Sequence, residues 1–205
     1  MTNDMTRGRI LPQLISFTIP LVLGNLFQLT YNAADSMIVG RYLGGQALAA
    51  VGTAGPIMNL AILFISGMCM GAGILMSTQY GAKQQDVLER QISTTLLSGL
   101  VFSFFVTLSM MVLAKPVLTL IRVPEEILDS ACGYLRIIFT GFLFTFAYNF
   151  FSSTLRALGD SKASLYFLVI SSVFNIAGDL LFVAVFRWGV NGSALATVLS
   201  QMICC

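Results

Sequence analysis

Charged residues in this chain are few and clustered, and the stretches between them are too long and too apolar for a soluble fold. Residues 10–40 carry one charge, Asp35; residues 42–82 and 91–114 carry none; residues 137–155 carry none; residues 163–186 carry only Asp179. A helix rises 1.5 Å per residue, so crossing a hydrocarbon core of about 30 Å takes about 20 apolar residues. Each run meets that length or nearly so. Only 10% of the chain is charged and 57% is hydrophobic, whereas an ordinary soluble domain is about 25% charged. The chain therefore reads as an all-α polytopic membrane protein.

Helices are expected at about 11–39, 48–76, 91–114, 131–155, 163–186 and 193–205. Gly44 and Gly45 mark the first connection, and Lys115 and Pro116 end the third run. A short acidic loop, "RVPEEILDS", precedes the fourth helix, and "RWGVNG" precedes the sixth. Ser193 to Cys205 give roughly 20 Å of helix, short of the core thickness. The expectation is one six-helix lobe spanning residues 1–205 with its sixth helix truncated. Arg7 and Arg9 before the first run favour a cytoplasmic N-terminus in an inner or plasma membrane. That orientation puts Lys83, Arg90, Arg156 and Lys162 inside, and Arg41, Lys115, Arg122, Arg136 and Arg187 outside.

The two carboxylates within the runs answer to each other. The first and fifth helices cross in the same direction. Asp35 lies six residues before Arg41, about 9 Å along a helix, and Asp179 eight before Arg187, about 12 Å. Both therefore sit in one half of the bilayer at similar depth. Asn175, four residues before Asp179, shares its helical face, and Thr197 of the sixth helix reaches the same layer. Two close carboxylates away from water do not both ionise readily. With an amide and a hydroxyl beside them they form an oxygen-rich site suited to a proton or Na+, the chemistry expected of ionisable groups inside a membrane. The plainer reading is interhelical hydrogen bonding that locks the packing.

Other classes fall away. The net charge of +2 gives no nucleic-acid footprint, and the absence of histidine rules out imidazole chemistry. Cys69, Cys132, Cys204 and Cys205 lack paired CxxC spacing and read as small hydrophobes. No phosphate loop or nucleophile–base motif is present, so no enzymatic activity and no cofactor are expected; the one metal expected is Na+ at the coupling site.

The stretches "IPLVLGNLFQLTYNAADSMIVGRYLGGQALAAVG", "PIMNLAILFISGMCMGAGILMSTQYGAK", "LRALGDSKAS", "NIAGDLLFV" and "GVNGSALATVLSQ" together resemble the multidrug and toxic compound extrusion (MATE) family. The resemblance implies an antiporter that exchanges H+ or Na+ for amphipathic, often cationic drugs. It also implies twelve helices in two six-helix lobes, of which this chain matches the N-terminal one. The family's N-terminal cation site corresponds here to Asp35, Asn175, Asp179 and Thr197. Pro20 matches a first-helix proline at which the helix bends, since a mid-helix proline removes a backbone hydrogen bond.

Within the fourth run, Tyr148 and Asn149 are the candidates for lining a substrate cavity, because their polar ends need partners. Drug-like molecules and the bilayer are the expected partners, with a missing C-terminal lobe or a second copy completing the cleft. Two alternatives stand beside this. A flippase for lipid-linked oligosaccharides, of the same superfamily, needs basic cavity residues for its pyrophosphate, and no Lys or Arg lies deep in a span. A non-transporting fragment is the other.

Overall fold

A computed structural model of the chain describes residues 10–205; Arg7 and Arg9 lie outside the described residues. Seven α-helices follow in order: α1 (Ile10–Leu43), α2 (Gly45–Gly81), α3 (Gln85–Leu120), α4 (Glu125–Thr140), α5 (Phe142–Ala157), α6 (Ser161–Asp179) and α7 (Val190–Ile203). No strand occurs among the described residues. α1, α2, α3 and α6 with its extension are each long and apolar enough to cross a membrane, and α4 and α5 pass together as one span bent by 49°. The chain is a multi-pass membrane protein.

The breaks between helices are short. α1 and α2 are separated by Gly44 alone, whose φ of 84° lies where a side chain would be strained. Asp160 ends the turn before α6, and its carboxylate accepts the Ala163 N–H at 3.0 Å, an ordinary N-cap. α6 runs without interruption into a π-helical turn, Leu180–Val185.

Two features depart from the sequence expectation. The fourth helix, read as one piece over 131–155, is two helices meeting at Gly141, and it begins at Glu125 inside the supposed acidic loop. Pro124 stands before the helix and Glu125 and Glu126 fill its first turn, where carboxylates oppose the positive end of the helix dipole. Likewise α3 starts at Gln85, not 91, and runs past Pro116 to Leu120. Charge marks the edge of the membrane; it does not end a helix.

The lobe is built inside out. On α6 the buried residues are Ser161, Ser164, Ser171, Ser172, Asn175 and Asp179, whose spacing follows the helical period and puts them on one face. Its outward residues include Tyr166 and Val173, 66% and 62% exposed. Lipid is as apolar as any core, so the polar stripe is what turns inward. The centre belongs to α4 and α5. Phe139, Phe142, Phe146 and Phe150 are at most 2% exposed and pack among Ile65 and Met76 of α2, Leu118 of α3 and Ala194 of α7. α1 packs on α6, and α6 on α7, leaving the polar face of α6 toward the middle of the lobe.

Candidate cation site and adjoining cavities

Close packing of α6 on α7 sets the site. Gly178 has no side chain, and a Cβ there would lie 2.9 Å from the Ala196 Cβ. That approach brings Ser193 and Thr197, one turn apart on α7, against the polar stripe of α6. Asn175 Nδ2 donates to Thr197 Oγ1 at 3.2 Å. Thr197 Oγ1 in turn donates to the Ser193 carbonyl at 3.2 Å. The Ser193 hydroxyl donates across to α1, to Asp35 Oδ1 at 2.7 Å.

Asp179 completes the cluster. It is fully buried and stands beside Asp35 and Ser193. Neither of its oxygens accepts a hydrogen bond, and neither does Asn175 Oδ1. Around it Asn175 directs a donor to Thr197, Thr197 directs its proton to its own helix, and Ser193 directs its proton to Asp35. A buried polar atom without a partner costs about 1–3 kcal/mol, more for a charged one. The set consists of oxygen atoms with two carboxylates among them, which fits a proton or a small hard cation.

Asp35, Asn175 and Thr197 open onto a cavity of about 120 Å³ whose walls include Gln28, Tyr134 and Gln201. The structure thus gathers Asp35, Asn175, Asp179 and Thr197 into one cluster. Tyr148 and Asn149 are elsewhere, on a second cavity of about 220 Å³ that also takes in Pro20 and Gln28. Gln28 is a wall of both. Asn149 turns one amide donor back to the Thr145 carbonyl at 2.8 Å, so part of its polar end is satisfied within its own helix. Pro20 is buried and lies inside α1, which is one continuous helix through it.

A family model described as MatE matches residues 20–181. This chain belongs to the MatE family. It is 38% identical over 202 residues to the probable multidrug resistance protein YpnP of Bacillus subtilis (strain 168), covering 98% of this chain and 45% of YpnP. To the probable multidrug resistance protein YoeA of the same organism it is 33% identical over 206 residues, covering 98% of this chain and 44% of YoeA. The crystal structure of MATE in complex with MaD5 superposes with a TM-score of 0.93 at 26% identity, over 99% of this chain and 46% of that one. The chain spans about half the length of the MatE relatives it matches.

Within this MatE lobe the structure adds residues that sequence reading passes over. Ser193 donates its proton to Asp35; its sequence signal is its position four residues before Thr197. Tyr134, 3% exposed, lies within electrostatic reach of both carboxylates. It sits on α4, inside the stretch the sequence already reads as helix. Gln28 carries no charge and so does not stand out in an apolar run.

Proposed function

We propose that this chain forms one lobe of a cation-coupled exporter of amphipathic or cationic drugs, in which Asp35, Asn175, Asp179 and Thr197 bind the coupling ion, H+ or Na+. The observation that carries this is the buried carboxylate of Asp179, left without a donor beside a second carboxylate. A proton bridging the pair, or a sodium ion drawn to their oxygens, relieves that cost and is held only as long as the cluster stays closed. Moving helices that separate Asp35 from Asp179 would release the ion, which is the coupling a secondary transporter needs.

In this reading Tyr148, Asn149 and the cavity they share with Gln28 receive the drug. Gln28 is the structural link by which occupancy of one cavity is felt at the other. Pro20 gives α1 a point of weakness next to the same cavity. The names of YpnP and YoeA support drug export as the activity, and their length supports a second lobe that completes the cleft. A cell membrane with the N-terminus in the cytoplasm fits the distribution of basic residues.

The test is dye efflux from proteoliposomes with Na+ and pH gradients imposed separately, on a complete transporter containing this lobe. Asp35→Asn and Asp179→Asn should each abolish gradient-driven efflux while leaving membrane insertion intact. Efflux that survives in both variants, or responds to neither gradient in the unaltered protein, overturns the coupling role.

A further inference from the structure

The strongest unassigned feature lies at the opposite end of the lobe from the carboxylates. Arg156, in the last turn of α5, borders two cavities at once: the 220 Å³ space beside Pro20 and a larger one of about 620 Å³ between α1, α2 and α5. Among the described residues the one ion pair is Lys115–Asp129, at 3.7 Å, so no carboxylate pairs with Arg156. Asp160, four residues further on, is turned away to cap α6. The guanidinium is therefore a cation at a membrane edge without a counter-charge among the described residues.

Its polar neighbours include hydroxyls, which can donate hydrogen bonds to an anion. Ser152, Ser161 and Ser164 share the smaller cavity with it, and the Ser152 and Ser164 hydroxyls meet at 2.5 Å. The larger cavity departs from this polar end along an apolar wall of Phe17, Leu21, Met70 and Ile74. A planar guanidinium fork matches two phosphate oxygens at once, and hydroxyls satisfy the remaining ones. The apolar wall has no use for a free anion but suits an acyl chain. Basic pockets between helices at the membrane surface are where anionic headgroups bind.

We propose that Arg156 heads a binding site for an anionic glycerophospholipid, with the phosphate on the guanidinium and an acyl chain along Phe17, Leu21, Met70 and Ile74. The site is separate from the cation cluster, and its failure would leave the ion-coupling reading untouched.

The experiment uses the 205-residue chain purified in micelles, titrated with phosphatidylglycerol and, separately, with inorganic phosphate, and read by native mass spectrometry and thermal unfolding. Arg156→Gln should weaken phosphatidylglycerol binding about tenfold, the loss of one charge-assisted contact of roughly 1.4 kcal/mol. Arg156→Lys, which keeps the charge and loses the fork, should fall between the two and serves if the Gln variant does not fold. Lys162→Gln, a basic residue on the same side but on neither cavity, should bind as the unaltered chain does. The proposal is overturned if the Arg156 variants bind the lipid unchanged, or if Lys162→Gln weakens binding equally. Full displacement of the lipid by inorganic phosphate would likewise sink it, as a free-anion site.

Discussion

At the scale of single residues, two carboxylates stand beside one serine proton, and only one of them receives it. Ser193 satisfies Asp35 and leaves Asp179 to whatever cation arrives. Replacing Ser193 by Ala removes a donor that competes with the cation for Asp35. We expect the coupling ion to be held about tenfold more tightly, from the roughly 1.5 kcal/mol of a hydrogen bond to a charged group. Half-saturating ion concentration in an efflux assay checks this, and an unchanged value removes Ser193 from the site. Asp35 and Asp179 are legible as a pair in the sequence because a charge inside an apolar run is conspicuous and the nearest arginines give its depth. Ser193, Gln28 and Tyr134 are not, because serine, glutamine and tyrosine occur in membrane helices for packing as often as for chemistry. The depth count places residues along a helix axis but says nothing of rotation about it. For that reason the count does not show which cavity Tyr148 and Asn149 line; the structure puts them on the one beside Pro20.

At the scale of helices, the site depends on how near α7 comes to α6. Gly178→Leu would drive a side chain into Ala196, which already stands 2.9 Å from where a Cβ would be. Overpacking of this kind costs about 2 kcal/mol. The variant should unfold at lower temperature in micelles and lose the Asn175–Thr197 and Ser193–Asp35 contacts together; full stability would show that the two helices have slack. The five charge-bounded apolar runs are readable from charge spacing, since each needs only enough length to cross. Their ends are less so. Glu125, Glu126 and Lys115 look like loop residues when charge is taken to terminate helices, yet they belong to helical turns outside the hydrocarbon. The bend at Gly141 is invisible in the apolar run because a lone glycine there is equally compatible with a straight helix. What decides it is the neighbour, Val198, which occupies the room a side chain would take.

At the scale of the whole lobe, three polar residues of α1 point into cavities. Asn25, Gln28 and Asn32 are exposed and line the two smaller cavities. A cysteine replacing Asn32, in a chain with its native cysteines changed to serine, should react with a membrane-impermeant maleimide. A cysteine replacing Val112, 69% exposed on α3, should not, because it faces hydrocarbon. Equal labelling of both would mean that the cavity is dry or that the α3 face is wet, and either would undo the inside-out description.

The single-residue joint at Gly44 has a mechanical consequence. With α1 and α2 tied there, α1 behaves as a lever pivoting at one end. Asp35 lies about 13 Å along the helix from the pivot, and Phe17 about 40 Å. Any tilt that shifts Asp35 moves Phe17 about three times as far. A displacement of an ångström or two at the carboxylates, the scale on which an ion is gripped or dropped, becomes several ångströms at the mouth beside Arg156.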